Sequence, residues 1–230
     1  MAEDKESIRA LALSLGADLC GFAAADDFAD APEGFRPTDI WAGCRSVAVV
    51  ACRLPRGLAG VPPRIHYAHG NDLALARVDQ VCQKLALALE DCGITAVPLP
   101  CDGPYDDWDE AQLRGRGALS MRHAAVKAGL GTLGKNTLLL NARYGNWINL
   151  GAVLLNAPLE SDPSAEPLCR PGCRLCLKSC PTGALDGVTV NQAACRPHTY
   201  GTNARGFGVV NCNRCRVVCP MAMGAEGARR

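Results

Sequence analysis

Eight cysteines lie in two runs: Cys169-x3-Cys173-x2-Cys176-x3-Cys180-Pro181, and Cys195 followed by Cys212-x2-Cys215-x3-Cys219-Pro220. Thiolates at such spacings hold soft metals, and two runs that each close on Cys-Pro match the bacterial two-cluster iron–sulfur pattern. In that pattern the cysteine before the proline ligates the other cluster. Applied here, it gives Cys169, Cys173, Cys176 and Cys219 to one [4Fe–4S] cluster. Cys180, Cys195, Cys212 and Cys215 go to a second. The gap Arg170-Pro171-Gly172 is one residue longer than usual, and Pro and Gly are expected to absorb it in a turn. The alternative is an unligated Cys169 beside a three-iron cluster. Two zinc sites are the competing metal reading, since zinc also takes four thiolates at x2 spacings. The favoured chemistry is electron transfer.

The other six of the 14 cysteines are scattered singly. Cys20, Cys52 and Cys82 sit in apolar stretches and are expected in the core. Cys101 lies in a polar loop. So many thiols argue for a reducing compartment and metal ligation rather than disulfides. Met1 to Ser7 is charged where a secretory leader would be apolar, and no apolar run reaches the roughly 18 residues of a membrane span, so a cytoplasmic protein is expected. With 230 residues and 48% hydrophobic content, the chain has room for a medium domain and a small module.

Charge is split along the chain. From Cys169 onward, nine Lys or Arg face two acids, a net of +7, and the remainder carries −6. Two oxidised four-thiolate clusters would cancel about four of the seven by formal counting. The surplus suggests docking of an acidic electron donor such as a ferredoxin or flavodoxin. No aromatic-rich basic patch accompanies it, which argues against a nucleic-acid surface.

These cysteines need a scaffold. Helical periodicity predicts helices over Ser7–Leu15, Asp72–Cys92 and Leu119–Ala128, ended by Gly16, Gly93 and Gly129. Asp18–Ala24, Arg45–Cys52 and Ile94–Leu99 read as strands, and the unbroken Val47-Ala48-Val49-Val50 run predicts burial on both faces. Asn136–Leu140 and Ile148–Leu155 read as two strands joined around Arg143-Tyr144-Gly145-Asn146. Pro100–Gly117 is a long polar loop of the functional kind, and 157–167 reads as a linker.

The segment Arg122-His123-Ala124-Ala125-Val126-Lys127-Ala128-Gly129-Leu130-Gly131-Thr132-Leu133-Gly134-Lys135-Asn136-Thr137 resembles the R-x-x-A-x-x-A-G-L-G-x-x-G-K-N-T segment of epoxyqueuosine reductases. Arg64–Asp72 and Ile8–Gly21 resemble further segments of that family, to which the reductive dehalogenases are related. The resemblance implies an α/β (α+β) fold. A nitroreductase-like domain would span residues 1–160, and a two-cluster ferredoxin-like module 161–230. It also implies cobalamin as cofactor, with one cluster beside it, and a reductase acting on a small molecule. His66, Tyr67, His69, Gly129, Gly131, Gly134, Lys135 and Asn136 become candidate cofactor contacts. Asp102, Arg122 and His123 become candidate catalytic residues.

Two departures from the family stand out. Its proton-donor Asp falls here at Gly115, with Asp102, Asp106, Asp107 or Asp109 as substitutes, and its C-terminal helical-repeat extension, which helps hold tRNA, is missing. A substrate smaller than tRNA is therefore expected. A flavin-dependent reductase and a non-catalytic electron carrier are the alternatives. Homodimerisation through helices is compatible with the fold.

Overall fold

The apolar run at Val47–Val50 forms the doubly buried strand that its lack of alternation predicts, with every residue but the last screened from solvent. The computed structural model describes residues 4–105 and 107–227. In chain order these form α1 (Lys5–Ser14), β1 (Leu19–Ala24), α2 (Pro37–Ile40), β2 (Ser46–Arg53), α3 (Ile65–Asp91) and β3 (Ala96–Leu99). A hairpin of β4 (Asp107–Asp109) and β5 (Arg114–Arg116) follows, then α4 (Met121–Lys127), β6 (Thr132–Leu133), β7 (Leu139–Leu140) and β8 (Ile148–Leu155). The cysteine-rich part carries α5 (Leu175–Ser179), α6 (Gln192–Thr199), a hairpin of β9 (Tyr200–Thr202) and β10 (Gly208–Val210), α7 (Arg214–Val217) and α8 (Gly224–Gly227).

The main sheet has the order β1-β2-β8-β3, with all neighbours antiparallel. Helices cover both faces. On one, Ile8, Val78, Leu85 and Leu89 pack against Phe22, Val50 and Val153, with Cys20, Cys52 and Cys82 among them. Burial pushes these thiols up to about 12, 11 and 12, so they stay protonated and act as small apolar residues. On the other face, Ala124, Ala125 and Ala128 of α4 let that helix sit close to Val47, Val49 and Leu154. The fold is mixed α and β, as expected. Among the described residues no helix is long and apolar enough to cross a membrane.

Three sequence expectations change. First, β7 pairs with β6, and β8 pairs with β2 and β3 instead of returning along Asn136–Leu140. Asn141 explains the turn: its side chain accepts from the backbone N–H groups of Arg143 and Tyr144, closing an Asx-type reversal whose arms then diverge. Second, α3 begins at Ile65, seven residues before the predicted Asp72, because Tyr67 is buried against Trp147 at 6.2 Å between ring centres. Third, the 157–167 segment is pinned. The Asp162 N–H donates to Phe22 O (2.8 Å), Phe22 N–H donates to the Asp162 carboxylate (3.0 Å), and Ala24 N–H donates to Ser161 Oγ (2.8 Å). The cysteine-rich part joins the sheet domain through a small core in which Val210 and Met223 pack against Leu54, Tyr67 and Trp147.

Candidate functional site

The first quartet, Cys169, Cys173, Cys176 and Cys219, lines one small hollow, whose wall includes Gly134, Lys135 and Asn136. Burial raises the thiols of Cys176 and Cys219, and the neighbouring thiols of the same quartet raise them further. The second quartet gathers around Cys215. Burial pushes that thiol up to about 11, with further contributions from Cys195, Cys212 and Cys180. For Cys180, burial acts upward, but hydrogen bonds from Thr182 and nearby backbone N–H groups outweigh it and lower the value. Cys169, Cys173, Cys176 and Cys219 therefore share one hollow, and Cys180, Cys195 and Cys212 lie near Cys215. Short elements, α5 and α7, present the inner cysteines of each run.

Among the described residues, no three His, Cys, Asp or Glu side chains converge as a single-ion site. Asn213, between Cys212 and Cys215, keeps a buried side-chain N–H with no partner among the described residues. A cluster sulfur would accept such a donor.

The Gly134-Lys135-Asn136 segment serves these loops. Lys135 Nζ donates to Arg170 O (3.2 Å) and Cys173 O (3.0 Å), and Asn136 Nδ2 donates to Cys215 O (2.8 Å). Gly129 and Gly131 are packing positions, a correction to their reading as cofactor contacts. A Cβ at Gly129, whose φ is +68°, would meet Pro163 O at 2.4 Å, and one at Gly131 would meet Leu140 O at 2.3 Å.

Beside the second quartet lies an open cleft of about 180 Å³, lined by Asp102, Arg122, Asn146, Asn149, Tyr200 and Arg216 among others. Asp102 accepts from the Tyr105 hydroxyl at 2.8 Å. Arg122 Nη1 donates to Thr137 O (3.0 Å) and Thr137 Oγ1 (3.1 Å). Thr137 has φ +61°, a costly conformation for a β-branched residue. Enclosure by the cleft walls lowers the Arg122 pKa, and Arg216 lowers it further, although the side chain stays accessible along the cleft. Asn146 Nδ2 donates to Arg216 O at 3.3 Å, while its Oδ1 is buried with no partner among the described residues. Cys101 also lines the cleft, where burial and then Asp79 raise its thiol.

Of the predicted catalytic residues, Asp102 and Arg122 meet here. His123 instead bonds Ser120 Oγ at 2.7 Å and is absent from the lining. His66 and His69 are exposed elsewhere on α3, and Tyr67 belongs to the core, so none of the three faces this cleft. Asn146, Thr137, Tyr200 and Arg216 escaped the sequence reading. Only Arg216 carried a signal there, as the neighbour of Cys215.

The Gly115 backbone is bonded in both directions to Gln192 of α6. Arg196 of the same helix lies over Tyr105 (5.3 Å) and Trp108 (5.1 Å). The polar loop is therefore docked onto the cysteine-rich part. Asp107 and Asp109 pair with Arg116 and Arg114, and Asp106 lies outside the described residues.

No family model matches the chain. An epoxyqueuosine reductase of Listeria monocytogenes is 38% identical over 48% of this chain and 31% of its own length. Those of Bacillus cereus and Staphylococcus aureus are each 26% identical over 96% of this chain, which spans 65% of their length. Among solved structures, an epoxyqueuosine reductase with an epoxyqueuosine-modified tRNA stem loop has TM-score 0.65 and 23% identity, over 95% of this chain and 65% of that one. A catabolic reductive dehalogenase in complex with 3-bromo-4-hydroxybenzoic acid has TM-score 0.70 and 20% identity, over 97% of this chain and 33% of that one. The chain is similar to the epoxyqueuosine reductases in sequence and fold along nearly its whole length, and it shares its fold with the reductive dehalogenases.

Proposed function

We propose that this chain is an iron–sulfur reductase that passes electrons through two [4Fe–4S] clusters into the cleft beside Arg122 and Arg216. The observation that carries the reading is the pairing of two cysteine quartets with a polar cleft set against the second of them. Kinship with reductases supports it. Bound clusters would supply one-electron transfer. Cys169, Cys173, Cys176 and Cys219 would hold one, and Cys180, Cys195, Cys212 and Cys215 the other. The net charge of +7 after residue 168 offers a face to an acidic donor protein.

The polar lining of the cleft is compatible in chemistry with the rim of a corrinoid. The side chains of Asn71, Asn146 and Asn149 line it, and the rim amides of such a ring exchange hydrogen bonds with groups of this kind. A bound corrinoid would supply a strongly reducing metal centre. Asp102, which lines the cleft and accepts from Tyr105, is our candidate for the proton-transfer role of the family aspartate that Gly115 replaces.

Small molecules are the favoured substrates. The tRNA stem loop bound by a structural relative nevertheless removes the charge-based argument against nucleic acid, so a modified tRNA belongs in the substrate screen. The test is anaerobic purification from cells supplied with cobalamin, with metal analysis and an absorption spectrum. About eight irons per chain with stoichiometric cobalt support the proposal. Eight irons without cobalt after reconstitution would remove the corrinoid, and zinc in place of iron would overturn the reductase.

A further inference from the structure

We propose that Arg122 and Arg216 form a binding site for an oxyanion, the carboxylate or phosphate of the molecule that enters the cleft. This rests on reading the cleft as the reaction chamber of the reductase, and it names the class of ligand the chamber takes.

Both side chains line the cleft, and neither takes part in any ion pair among the described residues. The carboxylate on the same cleft, Asp102, is bonded to Tyr105 instead. Each arginine is held in place. Arg122 is anchored through Nη1 alone by Thr137, whose left-handed backbone presents both its carbonyl and its hydroxyl oxygen to that nitrogen. Strained backbone of this kind clusters at functional sites. The rest of the guanidinium fork has no protein acceptor among the hydrogen bonds found. Arg216 lies 5.6 Å from the Trp147 ring centre, and its Nη1 is buried without a partner among the described residues.

A buried cationic N–H without an acceptor is rare in native proteins and asks for an explanation. Two arginines near each other with no acid between them repel, and the lowered pKa of Arg122 reflects that proximity as well as enclosure. Cysteine thiolates of the second quartet bear on both cations, on Arg216 as the neighbour of Cys215 and on Arg122 through the charge of the same thiol. Among the described residues, however, they give a hydrogen-bond acceptor to neither guanidinium. An anion entering the cleft would supply the missing acceptors, and carboxylates and phosphates present paired oxygens that match the arginine fork. Tyr200, on the same wall, adds a hydroxyl donor.

The test uses cluster-loaded protein of measured iron content, titrated by calorimetry with benzoate, its neutral analogue benzamide, and inorganic phosphate. Benzoate and phosphate are expected to bind saturably, and benzamide at least tenfold more weakly. Arg122→Gln and Arg216→Gln should each weaken benzoate at least tenfold, which corresponds to about 1.4 kcal/mol, without changing benzamide. Arg122→Lys, with the charge but not the fork, should fall between. Equal binding of benzoate and benzamide overturns the site, as does wild-type benzoate affinity in Arg122→Gln protein that unfolds at the wild-type temperature.

Preloading separates the two sources of the anion. Cobalamin carries a phosphodiester that cobinamide lacks. Phosphate binding lost with cobalamin and kept with cobinamide assigns the pair to the cofactor. Binding kept with both assigns it to the substrate. Full iron without anion selectivity overturns this site and leaves the reductase standing. Selectivity in a protein that carries zinc does the reverse.

Discussion

Asn136 donates a 2.8 Å hydrogen bond from its side-chain amide to the carbonyl of Cys215, while Lys135 donates to the carbonyls of Arg170 and Cys173. Two adjacent residues thus hold a loop of each cysteine quartet. An unmade buried hydrogen bond costs about 1–3 kcal/mol. Asn136→Ala should lower stability by that amount and speed the chelator-driven loss of iron from the second quartet. Lys135→Met should do the same, more weakly, at the first. Iron release followed by absorption and electron paramagnetic resonance reads both, and wild-type rates in both variants would show that the latch does not matter.

The crossing of the two runs is open to a direct count. Cys195→Ser should lower iron from about eight to about four per chain. Cys219→Ser should remove the cluster that Cys169→Ser removes, and Cys215→Ser the other. If the spectrum of Cys219→Ser instead matched that of Cys215→Ser, each run would hold its own cluster and the assignment would fail.

Asp162 should make stability depend on acid. Burial acts to raise its pKa, but hydrogen bonds from Arg9, Lys5 and the Phe22 N–H outweigh burial and hold it below the ordinary carboxylate value. A carboxylate whose folded pKa lies below its unfolded value, about 3.9, stabilises the fold fully above that value. The contribution fades as pH falls toward the folded pKa. The gap in urea midpoint between wild type and Asp162→Asn should therefore be constant above about pH 5 and close toward pH 2. A gap that widened on acidification would contradict the assignment.

Gly131→Ala should destabilise the fold. Its Cβ would lie 2.3 Å from Leu140 O, a backbone atom that cannot swing away. Overpacking costs about 1–3 kcal/mol, and a backbone clash belongs at the upper end. Urea unfolding measures it. An unchanged midpoint would mean that the turn between α4 and β6 is looser than its packing indicates.

The cysteine quartets were legible because their chemistry is local. Two runs of x2 and x3 spacing place thiols together whatever surrounds them. The strands β1 and β2 and the helix α1 were legible for a similar reason, since uniform burial and helical periodicity are written into consecutive residues. The cleft was not. Asp102, Arg122, Asn146, Tyr200 and Arg216 come from five separate segments, and only the docking of the cysteine-rich part onto the sheet domain brings them into one wall. The Gly-Lys-Asn turn was legible only in part: it lines the first quartet's hollow, but its side chains bond backbone carbonyls. Glycine, lysine and asparagine suit a ligand and a backbone latch equally well, and only the carbonyls facing them tell which. The start of α3 was missed because Ile65–Asn71 is half polar, and the contact that keeps it helical, Tyr67 on Trp147, spans 80 residues of chain.

The strap of Ser161 and Asp162 along β1 bears on how the protein can be handled in pieces. β1 is the outer strand of the main sheet, and the strap occupies backbone groups at Phe22 and Ala24 that face away from β2. An uncovered strand margin recruits other chains. A fragment that stops before residue 161 would expose that margin and should precipitate or self-associate, whereas one that continues past Pro163 brings its own cover. The stretch between the sheet domain and the cysteines therefore works as a selvage, and any dissection of the protein should cut on its far side.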